Sequence, residues 1–200
     1  MAALLSVEEQ LQRAGLELLG FCTDLSRHAP NWRHDAAMLE DLTPAETDTL
    51  GALMPRVRAQ PGQALIREGD VGDWMLIILS GTVDVIKISV GGNVPISPYG
   101  PGRDEGASGQ VHQGVSRLAV IKHGAAVGEM SMLDAAPRYA SCIAIDQVEA
   151  GVLTRAAVAH LIHEHPAIGA KLLVKLTQLL AQRLRNTSNQ LVRLLQARDD

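Results

Sequence analysis

Between Pro55 and Leu153 the chain is a series of short runs rich in β-branched residues, cut at near-regular intervals by glycine and proline. The runs are Arg56–Gln60, Ala64–Glu68, Met75–Ser80, Thr82–Ile88, Arg117–Ile121, Ala140–Ile145 and Val148–Leu153. Turn signals stand between them: Pro61-Gly62, Gly69-Asp70, Ser80-Gly81, Gly91-Gly92-Asn93 and His123-Gly124. Many short strands spaced this way predict a small antiparallel sandwich, roll or barrel. The segment from Val90 to Ser116 holds seven of the 18 glycines and three of the nine prolines, which predicts a long mobile hairpin loop.

Helical patterns flank this zone. Leu4, Leu5, Leu11, Leu18 and Leu19 recur at helix-like spacing with Glu8, Glu9, Gln12 and Arg13 between them, so the N-terminal stretch reads as helical. A break follows at Asp24 to Asn31, marked by Pro30. Thr43-Pro44-Ala45-Glu46 then announces a second short helix, with Thr43 as N-cap, Pro44 in the first turn and Glu46 closing a capping box. On the C-terminal side Thr154 caps a helix to about Glu164, and Pro166 starts a long one to about Ala197. Leu173, Leu176, Leu180, Leu184, Leu191 and Leu194 form one stripe along it, interrupted at Thr187. A stripe that long predicts a parallel homodimer through this helix; the alternative is that the helix only covers the roll. The divisions are 1–36 as an N-terminal helical extension, 37–165 as the β-roll with its short helices, and 166–200 as the long helix.

A formal charge of −4 argues against a molecule that binds polyanions as a whole. The basic residues Lys171, Lys175, Arg183, Arg185, Arg193 and Arg198 gather on the long helix, where a solvated face or pairing with the acidic N-terminal zone is expected ahead of non-specific contact with nucleic acid. Two cysteines, Cys22 and Cys142, make no disulfide framework and are expected to be free thiols in a reducing compartment. The N-terminus lacks a basic leader, and the longest apolar run, Val71 to Ser80, contains Asp73 and is too short to span a bilayer. A cytoplasmic protein without membrane contact is expected.

The stretch from Val127 to Ser141 carries the chemistry. Gly128 permits close backbone approach, and Glu129 to Leu133 make one helical turn whose free N–H groups favour an anion. Nine residues after Glu129 comes Arg138, whose planar fork suits phosphate oxygens. Glu129 is then placed to accept hydroxyl hydrogen bonds, as from a ribose. Either these groups form a site for a phosphate joined to a sugar, or Glu129 and Arg138 are a plain ion pair. His160, His163, Glu164 and His165 cluster at a helix end, but surface histidines there are commoner than a metal site. Nucleophile-elbow and phosphate-loop patterns are absent, so no catalytic residues, metal or cofactor are assigned.

Gly-Glu-Met-Ser-Met at 128–132, followed by Pro-Arg-Tyr-Ala-Ser at 137–141, resembles the phosphate-binding cassette of cyclic-nucleotide-binding domains. Pro61 to Asp70 resembles that family's second and third strands with their glycine turn, and Ile77 to Val85 resembles its next hairpin. The resemblance runs from about Met38 to Leu195. It implies an α+β fold: an antiparallel β-roll (double-stranded β-helix or jelly roll) with N-terminal helices and a long C-terminal dimerisation helix. It implies a cyclic nucleotide, most simply cyclic AMP, as ligand, with Gly128, Glu129, Met130, Ser131, Arg138, Tyr139 and Ala140 in the cassette. Arg183 to Ser188 resembles the central helix of catabolite activator proteins, where a Thr-Ser pair meets the adenine, the serine coming from the partner subunit. Thr187 and Ser188 are therefore expected at the base, while a polar break that only sets dimer register remains the alternative.

Two positions depart from the family pattern. Tyr139 stands where a small or hydroxyl residue is usual, so its ring either narrows the pocket or stacks on a base. Gly124-Ala125 replaces a Gly-Asp turn. The activators of this family continue into a DNA-reading module; this chain ends at Asp199-Asp200, so no specific DNA binding is expected and the signal passes to an unidentified protein partner. The competing reading is a dimeric scaffold whose phosphate site is filled by Tyr139.

Overall fold

In the computed structural model residues 6–28, 38–90 and 113–199 are described. The expectations for Leu4, Leu5, the Pro30 break and most of the 90–116 loop lie outside these residues.

Two antiparallel sheets form the roll. The first, with strand order β1-β2-β9-β4-β7, contains β1 (Glu17–Phe21), β2 (Pro55–Ala59), β4 (Trp74–Ser80), β7 (Ala126–Val127) and β9 (Val148–Thr154). The second, ordered β3-β8-β5-β6, contains β3 (Ala64–Ile66), β5 (Thr82–Val90), β6 (Gln113–Lys122) and β8 (Ser141–Ala144). Strand β4 alternates between two cores. Trp74, Leu76 and Ile78 point between the sheets, among Leu65, Ile66, Val83, Val127 and Cys142. Met75, Ile77 and Leu79 point the other way, against the helices. Both faces of β4 are buried, so it reads as a continuous apolar run rather than an alternating one.

The helices are α1 (Val7–Arg13), α2 (Leu25–His28), α3 (Pro44–Gly51), α4 (Glu129–Asp134), α5 (Arg155–Glu164) and α6 (Pro166–Asp199). Thr43 and Glu46 form the capping box that starts α3, as their spacing predicts. Thr154 caps α5 by accepting from the Ala157 amide at 3.0 Å. Leu50, Met54, Leu161, Ile168, Leu172 and Leu176 pack from the helices onto the first sheet. Lys171 pairs with Glu46, and Lys175 with Glu40 and Asp41, so the first half of α6 is tied to the acidic segment before it.

The N-terminal reading needs correction. Helix α1 stops at Arg13, and Leu18 and Leu19 belong to strand β1, which pairs with β2 through Glu17↔Arg58 and Leu18↔Val57. Gly15 is the reason: at φ +76° it takes a left-handed conformation that ends the helix. The chain between Asp24 and Asn31 also holds a single helical turn, α2. Residues expected to stand outside the roll thus extend its first sheet by one strand. Both cysteines are free and buried. Burial pushes the Cys22 thiol up to about 11 and the Cys142 thiol up to about 12, so both are neutral and poorly reactive. No helix among the described residues is long and apolar enough to cross a membrane.

Candidate functional site

The cassette forms at the junction of the two sheets. Strand β7 pairs with β4 and ends at Gly128, which adopts φ +84°, a conformation only glycine takes without cost. This turn starts α4 with no side-chain cap on its first amides. At the other end, Arg155 donates to the carbonyl oxygens of Met132 at 2.6 Å and Ser131 at 3.2 Å, holding α4 against α5. The chain returns through Pro137 and Arg138 into β8. The Arg138 backbone is held by the Asp70 carbonyl at 2.8 Å, and its own carbonyl accepts from the Gly69 amide at 2.9 Å.

The Arg138 side chain turns inward and is 4% exposed. Its Nη1 donates to the Gly128 carbonyl at 2.7 Å, and its Nη2 is buried with no hydrogen-bond partner. No carboxylate lies within ion-pair distance of it among the described residues. Its guanidinium lies over the Trp74 ring, 4.3 Å from the centroid. Burial lowers its pKa from the ordinary arginine value, opposed by Cys142, Asp73, Asp70 and Glu129, and an arginine so placed stays cationic at neutral pH. A buried cation without a counter-ion costs several kcal/mol. Two glycines frame it. A Cβ at Gly72 would meet Nη2 at 2.5 Å, and one at Gly128 would meet Nη1 at 3.0 Å and Ile66 Cδ1 at 2.7 Å.

Glu129 is fully buried, and the expected alternative of a Glu129–Arg138 pair does not form. Its Oε1 instead accepts from Arg183 Nη1 at 2.5 Å, and its Oε2 has no partner. Arg183 Nη2 donates to the Ala126 carbonyl at 2.7 Å, so α6 reaches into the cassette. The sequence places Arg183 on a basic face and at the head of the stretch resembling the central helix, but gives it no contact with Glu129. The available signal was its position four residues before Thr187, one turn along the same side of the helix.

The remaining predicted residues are placed as follows. Ser131 is buried in α4, Met130 of the same helix is 45% exposed, and Ala140 is half-buried just before β8. Thr187 and Ser188 are exposed on α6, one turn beyond Arg183, and make no side-chain hydrogen bond among the described residues. Tyr139 does not fill the phosphate site, which corrects the reading in which it plugs that niche. The ring is 56% exposed under Lys87, whose Nζ sits 4.1 Å from its centroid and bonds the Tyr139 carbonyl and Glu68. The histidines of α5 are exposed, and the described residues contain no group of three or more metal-ligating side chains.

Comparisons with known proteins agree with this geometry. Residues 105–165 match the model for the cyclic nucleotide-binding domain. A solved cyclic nucleotide-binding domain from Methylobacillus flagellatus is 30% identical, with 88% of each chain covered and a TM-score of 0.68. The Thermus thermophilus catabolite activator protein is 26% identical over 80% of this chain and 63% of that one, with a TM-score of 0.63. A CRP-like cAMP-activated global transcriptional regulator of Mycobacterium tuberculosis is 28% identical over 80% of this chain. The chain spans about 60% of the length of the curated regulators it matches.

Proposed function

The chain belongs to the cyclic nucleotide-binding domain family, and from that premise we propose that it binds a 3′,5′-cyclic nucleotide, most simply cyclic AMP, as a regulatory sensor rather than as an enzyme. The observation that carries this reading is Arg138, a buried guanidinium with an unspent donor beside an uncapped helical turn. The cyclic phosphate supplies the missing negative charge. Arg138 and the backbone amides at the start of α4 take its oxygens. Glu129 takes the ribose 2′-hydroxyl through Oε2, which has no partner among the described residues.

The proposed response follows from Arg183. This residue of α6 donates to the same carboxylate that the ribose needs. Ligand entry changes that contact, and α6 shifts between two arrangements whose balance moves by the ligand's differential affinity for them. Leu184, Leu191 and Leu194 are exposed in the second half of α6, and a parallel homodimer through this face supplies their partners. In that dimer Thr187 and Ser188 approach the base. The signal then passes to a protein partner through the terminal helices.

A thermal-shift screen with cyclic AMP, cyclic GMP and 2′-deoxy cyclic AMP tests the reading. Ligand at about 100 times its Kd adds about 2.7 kcal/mol. For a chain of this size that raises Tm by about 5–10 °C. The 2′-deoxy analogue is expected to give a smaller shift, and no shift with any of the three would refute the proposal.

A further inference from the structure

We infer that Trp74, held in place by Gln10 of the N-terminal helix, is the positioning residue for Arg138, so that α1 forms part of the phosphate site. The inference rests on the reading of Arg138 as the phosphate ligand and adds a role for two residues outside the cassette.

A buried guanidinium can be oriented in two ways. A carboxylate orients it by taking its N–H donors and cancelling its charge, and an incoming anion must then displace that carboxylate. An aromatic face orients it through the ring quadrupole and takes no donor. Arg138 is held by the Trp74 face together with the Gly128 carbonyl, which takes Nη1, and by no carboxylate among the described residues. It lies 4.3 Å from the Trp74 ring centroid and keeps Nη2 unspent. The plane of the indole is fixed in turn, because Trp74 Nε1–H donates to Gln10 Oε1 at 2.9 Å.

Gln10 is itself anchored. Leu11, next to it, is fully buried in the core that also holds Trp74 and Ile66. The C-terminal carbonyls of α1 are bound by Gln63 Nε2, at 2.7 Å to Gly15 and 3.3 Å to Ala14. A cavity of about 390 Å³ borders Gln10, Arg13, Trp74 and Arg138, so α1 and Arg138 line one space. Without the stack and the indole hydrogen bond, the guanidinium keeps only its bond to the Gly128 carbonyl.

The test has a ligand-free and a ligand-bound arm. In a Trp32→Phe background Trp74 is the sole tryptophan, and its indole N–H resonance is read by NMR in the free protein. Gln10→Leu and Arg138→Leu are each expected to move that resonance. In the second arm Trp74→Leu is expected to weaken cyclic AMP about 20-fold, Trp74→Phe to restore most of the affinity, and Gln10→Leu to weaken it about threefold. Gln10→Leu leaves the core untouched, so it decides the matter if Trp74→Leu fails to fold. If the wild-type protein takes no cyclic nucleotide, the functional reading fails, and the resonance still decides whether Trp74 and Gln10 hold Arg138. An unmoved resonance in both variants, or wild-type affinity in Gln10→Leu and in folded Trp74→Leu, overturns the inference.

Discussion

Glu149 and Arg138 lie in the same roll under opposite electrostatic regimes. On the first sheet Glu149 of β9 sits between Arg56 and Arg58 of β2, and both guanidinium groups donate to it. Burial alone would raise its pKa, but these bonds outweigh burial and hold the carboxyl below its usual value. Every charge there has a partner. In the cassette, a few strands away, Arg138 is more deeply buried and has no carboxylate partner among the described residues. Charges that only build a fold are paired because an unpaired buried ion is costly. The buried charge left unpaired beside an uncapped helical turn is the place the proposed function gives to the anion.

The sharpest way to break this contrast is to remove each arginine in turn. Arg138→Ala is expected to weaken cyclic AMP binding by at least about 100-fold, since charge-assisted hydrogen bonds contribute about 1.5–3 kcal/mol each. Arg56→Ala is expected to leave affinity within about twofold of wild type, measured by the same titration. Similar losses from both would mean that Arg138 acts only through general stability.

A smaller effect is expected at Gly72. A methyl group there would meet Arg138 Nη2 at 2.5 Å, and the backbone is not in a glycine-only region. The guanidinium is the far end of a flexible side chain, so it moves at little cost to the fold. Gly72→Ala should therefore unfold like wild type yet bind about tenfold more weakly, roughly 1.4 kcal/mol.

Stability reverses the ranking of the two regions. Glu149→Ala strands two partly buried arginines and is expected to cost about 1 kcal/mol in denaturant unfolding, the exposure of both partners keeping the figure low. Arg138→Ala removes an uncompensated buried charge and is expected to cost nothing or to stabilise. A marked destabilisation there would show that Arg138 is structural.

The pH dependence of paired charges sharpens the same point with the smallest effect. The Lys171 ammonium beside Glu46 holds that carboxyl down at about 2. Its folded pKa lies below the unfolded carboxylate value of about 4.3. The pair therefore stabilises fully above that value and is lost as pH falls toward 2. Glu46→Gln should lower stability modestly at pH 7, and the gap from wild type should close as acid unfolding is followed downward. A gap independent of pH would exclude the ion pair as its source.

The roll and the cassette were largely legible in the sequence, because both are local patterns. The β-branched runs align with the strands from β2 to β9, except β7, whose two residues carry no period. Strand β1 was hidden because its leucines also satisfy a helical period, and only the conformation of Gly15 decides between them. In the site, Gly128, Glu129 and Arg138 sit in one short motif. Trp74 and Arg183 reach the cassette from 64 residues before Arg138 and 54 after Glu129, respectively. Contacts made by folding across such separations leave no spacing that joins the two partners; for Arg183 the sequence offered only its place one turn before Thr187.

The most direct test is a calorimetric titration of cyclic AMP into the wild-type protein and into Arg138→Ala, run at equal salt. The account predicts saturable binding at micromolar or tighter Kd in the first and no measurable heat in the second, with both proteins folded. Undiminished binding by Arg138→Ala, or a wild-type protein that gives no heat with cyclic AMP or cyclic GMP, would contradict it.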